Sequence, residues 1–98
     1  MVVTKNLEDK LLNVKVEGRL DTATAPELEA ELAEVLDEAD ELVFDLEGLE
    51  YMSSAGLRIL LATQKKMGLK GGMKVINVND VIMEIFEITG FSDILTID

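Results

Sequence analysis

Two adjacent serines, Ser53 and Ser54, are the side chains best placed to do chemistry. They follow an apolar strand and a short loop, and they open a helical run. At a helix start the backbone N–H groups point outward and the helix dipole favours an anion. A hydroxyl in that place can carry a phosphate. The same hydroxyls also serve as plain helix caps, and the residue pattern alone leaves both roles open.

Other chemistries lack their parts. The 98-residue chain contains no His and no Cys. Ser-His and Cys-His nucleophile pairs, His-ligated zinc, thiolate metal sites and disulfides are therefore all excluded. A serine with no evident base leaves little room for a hydrolase, so the expectation is a protein that is not an enzyme. Gly68-Leu69-Lys70-Gly71-Gly72 is glycine-rich but lacks P-loop spacing and follows a helical run, so it reads as a helix stop and turn. The carboxylates show no metal-loop spacing, and neither a metal nor a cofactor is expected.

Nine Lys and Arg stand against twenty Asp and Glu, a net charge of −11. That charge repels nucleic acid. Fifteen of the acids fall in residues 1–50, and no base lies between Arg19 and Arg58. This reads as a solvated helix face, a surface for a basic partner, or both. No apolar run approaches the ~20 residues of a membrane span, and Met1–Lys10 has no signal-peptide core, so a cytoplasmic protein is expected.

The elements that must position the serines follow from periodicity. Val2–Asn6 and the alternating Leu12, Val14 and Val16 predict two strands joined by a turn near Asn6–Lys10, an antiparallel hairpin. Thr24-Ala25-Pro26-Glu27 fits a capping box with Thr24 as N-cap. Leu28, Leu32, Val35, Leu36 and Ala39 form the apolar stripe of the helix that follows. Acids near its C-terminal end, Asp37 and Glu38, oppose the dipole, which hints that they serve something besides helix stability.

Glu41–Leu46 predicts a strand covered on both faces, as in a parallel sheet, and Glu47–Met52 a loop. A second helix over Ala55–Met67 closes at Gly68, with Lys65 and Lys66 in its last turn. Met73–Val78 predicts a strand. A third helix, capped by Asn79 or Asp80, ends at Gly90, and Leu95–Ile97 adds a short last strand. The order β-β-α-β-α-β-α-β predicts one α/β domain over residues 1–98, with a mixed, mostly parallel sheet, an N-terminal antiparallel hairpin and helices packed on it. Loops at strand C-terminal ends gather on one edge of such a sheet. Asp21 and Thr22, after the second strand, then become neighbours of Ser53 and Ser54, with Ala55, Gly56 and Arg58 flanking them. Asp21 reads equally well as a turn residue.

Asp45-Leu46, the short loop, and Met52-Ser53-Ser54-Ala55-Gly56-Leu57 resemble the signature of STAS domains, the family named for sulfate transporters and anti-sigma factor antagonists. Gly18-Arg19-Leu20-Asp21 and Phe86…Thr89-Gly90-Phe91 resemble two further pieces of it, so the resemblance spans nearly the whole chain. It implies a mixed sheet with helices packed on it. It also implies a cytoplasmic anti-sigma factor antagonist. In this family the antagonist binds an anti-sigma factor serine kinase and frees a sigma factor. The kinase uses Mg-ATP to phosphorylate one serine, the modified protein lets go, and a PP2C-type phosphatase resets it. A monomer that forms heterocomplexes is the family's default. Matching Met52, Gly56 and Leu57 to Met-Asp-Ser-Ser-Gly-Leu places Ser54 at the phosphoacceptor position. Ser53 stands where the family often has Asp, and Ala55 where it often has Ser or Thr. Two other roles stay open: a non-phosphorylated scaffold or sensor subunit of a larger complex, and a nucleotide-binding module.

Overall fold

Hydrophobic alternation sets the N-terminal half of the sheet. In the computed structural model, which describes all residues Met1–Asp98, Val2–Glu8 (β1) and Leu11–Leu20 (β2) pair antiparallel in unbroken register from Val2↔Glu17 to Glu8↔Leu11. The turn between them is only Asp9 and Lys10, both at positive φ. That geometry matches the twist of a two-residue hairpin. The first strand therefore runs two residues beyond the expected Asn6. Leu12, Val14 and Val16 face the core with no exposed surface, as their period of two requires.

Ala25–Val35 forms α1, and a 3-10 turn over Leu36–Glu38 continues it. Glu41–Asp45 is β3, parallel to β2. Leu42, Val43 and Phe44 are all buried, as a strand covered on both faces demands. Leu49–Met52, expected as loop, is a strand, β4. It pairs parallel with the end of β2 through Gly18↔Leu49, Arg19↔Tyr51 and Leu20↔Met52, with a bulge between Gly18 and Arg19. Four residues with two exposed ones between buried ends, Leu49 and Met52, carry too little periodicity to be read as strand in advance.

Ser54–Met67 is α2, Met73–Ile76 is β5, and Asp80–Thr89 is α3. The sheet order is β1-β2-β3-β5, with β4 beside β2 only, so the single antiparallel pair lies at one edge. Gly90 ends α3 at φ 81°, where an L side chain would be strained. The expected last strand is reduced to one parallel bridge, Val75↔Ile97, after a 3-10 turn over Phe91–Asp93. Phe44 and Val75 from the sheet pack with Leu28, Leu60, Ile82 and Phe86 from the three helices in one continuous core. Each such side chain contributes roughly 1.5–3 kcal/mol when fully buried. No helix is long and apolar enough to cross a membrane.

Candidate functional site

The serine pair sits where β2 and β4 leave the sheet side by side. Leu20 and Met52 are paired, so the next residues of both strands, Asp21 and Ser53, emerge together. The Ser53 N–H donates to the Leu20 carbonyl at 2.9 Å and ties the two exits to each other. The unexpected strand β4 thus makes the predicted neighbourhood of the two loops.

Ser53 and Ser54 have different jobs. Ser53 is the N-cap of α2, extended at φ −93° and ψ 178°, and its Oγ accepts from the Ala55 N–H at 3.3 Å. It is half-buried. Ser54 is the first helical residue and is exposed. Capping is done by its neighbour, which leaves the Ser54 hydroxyl facing solvent at the positive end of the helix.

Gly56 departs from the expected partner surface. It is buried, and a Cβ there would lie 2.7 Å from Leu20 Cγ and 2.8 Å from Met52 Cγ. Only a glycine lets the first turn of α2 come this close to the exits of β2 and β4. Its role is to seat the serines.

Asp21 caps a turn. Its carboxylate Oδ1 accepts from the Ala23 N–H at 3.0 Å and the Thr24 N–H at 3.1 Å. The Thr24 backbone N–H is the largest influence holding the Asp21 carboxyl below its usual 3.8; partial desolvation opposes it, and the Thr24 hydroxyl, the Ala23 N–H and the Arg19 charge add to the lowering. The expected capping box is absent. Thr24 has helical backbone angles, and its Oγ1 donates to the Arg19 carbonyl at 2.8 Å and accepts from the Asp21 N–H at 2.9 Å. The hydroxyl is drawn backward into the turn, and the Glu27 N–H that it would have capped donates to the Thr24 carbonyl at 3.0 Å. Pro26 does lie in the first turn of α1.

Thr22 and Arg58 are exposed and Ala55 is half-buried. With Pro26, Glu29 and Ile59 they line an open groove of about 410 Å³ between the N-terminal halves of α1 and α2. At the other side of the strand exits the Arg19 guanidinium lies over the Tyr51 ring, 4.6 Å from its centroid. That pair went unread in the sequence, since only the β2–β4 register reveals that Arg19 and Tyr51 are neighbours. No cluster of three or more acids is placed to hold a metal ion.

The STAS domain family profile matches residues 2–98. The chain belongs to the STAS domain family. It is 36% identical over 93 residues to the anti-sigma-B factor antagonist of Staphylococcus aureus, covering 93% of this chain and 86% of that protein. A solved anti-sigma factor antagonist from Mycobacterium paratuberculosis superposes with a TM-score of 0.87 at 32% identity, over 98% of this chain and 83% of that one. The Bacillus protein SpoIIAA, solved unphosphorylated, shares the fold at a TM-score of 0.83 and 14% identity, over 99% and 88% of the two chains. In this STAS domain the family's serine step is the junction of β4 and α2, and its Gly-x-Leu-Asp step is the exit of β2.

Proposed function

We propose that this STAS domain is an anti-sigma factor antagonist switched by phosphorylation of Ser54. In this reading it binds an anti-sigma factor that is a serine kinase and so frees a sigma factor. The kinase then transfers the γ-phosphoryl group of Mg-ATP to Ser54. The bond from Oγ to phosphorus forms as the bond to the ADP oxygen breaks, and the hydroxyl proton passes to a base of the kinase. A PP2C-type phosphatase hydrolyses the phosphoserine and restores binding.

One observation carries the reading. Ser54 is exposed at the first position of α2, while Ser53 takes the capping bond that would otherwise occupy it. The phosphate adds about −1.5 to −2 charges. The free N–H groups of the first helical turn stabilise that charge locally, so the fold need not rearrange. A partner surface shaped for a neutral hydroxyl instead meets a bulky dianion next to the Thr22–Arg58 groove. Desolvation and repulsion of a few kcal/mol weaken binding about a hundredfold, since ~1.4 kcal/mol is tenfold.

The test combines site mapping with binding. The protein is incubated with the host's anti-sigma kinase and Mg-ATP, and the phosphate is located by mass spectrometry. Pull-downs of wild type, Ser54→Ala and Ser54→Asp run beside it. Phosphate on Ser54, with binding kept in Ser54→Ala and lost in Ser54→Asp, supports the switch. Phosphate on Ser53 overturns the assignment. No phosphate, with stable assembly indifferent to Ser54→Asp, turns the reading to a scaffold subunit.

A further inference from the structure

Arg58 is a cation without an acid, in a chain with more than twice as many acids as bases. It is the only base between Arg19 and Lys65. The ion pairs of the structure use Lys5 and Lys74, and Arg58 is in none of them. Even Glu29, which lines the same groove from α1, is not paired with it. Arg58 is exposed and lies four residues after Ser54 on α2. Residues four apart share a helix face, with their Cβ atoms about 5–6 Å apart. An arginine side chain spans that gap, and its planar fork matches two phosphate oxygens at once.

We infer that Arg58 is the built-in counter-ion of a phosphate on Ser54, held one helical turn away and left unpaired until the phosphate arrives. The inference rests on the reading of Ser54 as phosphoacceptor and adds a second half to the switch. Without the phosphate, the guanidinium is free at the rim of the groove, available to an acidic group of a partner. With it, the guanidinium folds along α2 onto the phosphoserine. The partner then loses a cation as well as meeting a dianion. The modified serine is drawn against the helix, which biases the phosphate toward the interface.

Phosphoserine is installed at position 54 during translation, and its second ionisation is followed by phosphorus NMR in the full chain. Four proteins are compared: wild type, Arg58→Gln, Arg58→Lys and Arg19→Gln. The paired phosphate ionises more readily, so Arg58→Gln is expected to raise the midpoint by about 0.2–0.4 unit, the size of a surface pair of this spacing. Arg58→Lys is expected to restore part of the shift. Arg19→Gln is expected to leave the midpoint in place, because that guanidinium is held over Tyr51. Glu29, facing Arg58 across the groove, is common to all four. An Arg58→Gln midpoint equal to wild type overturns the inference, and so does an Arg19→Gln shift as large as that of Arg58→Gln. Unchanged melting of unmodified Arg58→Gln verifies that its fold is intact. No kinase enters this titration, so a kinase that ignores Ser54 defeats the proposed function while the titration still reports on the pair.

Discussion

At the scale of single residues, the site separates groups that hold the backbone from groups that are free to act. Asp21, Ser53 and Gly56 hold it; Ser54, Thr22 and Arg58 are left exposed. Asp21 makes this division measurable. Its carboxyl is held below 3.8, first by the Thr24 N–H. A carboxyl depressed in the folded state contributes stability in full above its unfolded value. That contribution is lost as the pH falls through the lower, folded value. Asp21→Asn keeps an oxygen for the two N–H groups but has no charge to lose. Wild type is therefore expected to melt above Asp21→Asn at neutral pH, with the gap closing in acid below 3.8. Carbon-13 titration of the Asp21 carboxyl checks the cause directly: a midpoint at or above 3.8 would remove the basis of the claim.

At the scale of elements, one close approach fixes the site. The first turn of α2 is seated on Leu20 and Met52 at Gly56, and Gly56→Ala places a methyl inside both contacts. Overpacking of this kind costs about 1–3 kcal/mol. Denaturant unfolding is expected to show that loss, and amide shifts of Ser53 and Ser54 are expected to move while those of α3 stay. A loss with an undisturbed serine segment would mean that Gly56 is only a packing residue. The elements also show what could be read in advance. The strands β2, β3 and β5 and the three helices announce themselves by period, caps and glycine stops, because each buries a whole face or stripe. β4 does not, since its four residues gain their strand character from the tail of β2. The acidic end of α1 was equally opaque. Lys5 on β1 pairs with Glu31 and Glu34, both at 2.7 Å, and Lys70 donates to the carbonyls of Leu36, Asp37 and Ala39. Those lysines lie 26–34 residues away in the chain, so helix-local rules could not supply them. Lys70 thus answers the carbonyl end of the helix from a distance, while the Asp37 and Glu38 carboxylates stay outside the ion pairs. The serine step was legible through its motif, whereas the division of labour between Ser53 and Ser54 needed the capping geometry.

At the scale of the whole molecule, the net charge of −11 is held within a radius of gyration of 12.2 Å. Three close ion pairs, formed by Lys5 and Lys74, engage only Glu31, Glu34 and Asp98. Most of the acids are exposed and repel one another, especially along α1 and the turn after it. The Debye length is about 30 Å at 0.01 M salt and about 8 Å at 0.15 M. At the lower concentration every charge therefore feels nearly all the others. At the higher one it feels only its neighbours. Two salt effects compete. Screening the repulsion stabilises the folded chain, and screening the Lys5 and Lys74 pairs destabilises it. Pairs that stay in reach of solvent are worth about 0–1 kcal/mol each, and none here is fully buried, Lys5 being half-buried between Glu31 and Glu34. The excess of eleven negative charges acts over many more separations, so the repulsive side wins. The melting temperature is expected to rise with sodium chloride over that range. A gain on the order of 1 kcal/mol corresponds to roughly 4–8 °C for a domain of this size. Glu29→Gln and Glu38→Gln together, both exposed and outside the ion pairs, are expected to raise the low-salt melting point and flatten the dependence. A melting point that falls with salt would show instead that the Lys5 pairs anchoring α1 to β1 outweigh the acidic surface. The acids would then stabilise the fold through those pairs more than they strain it.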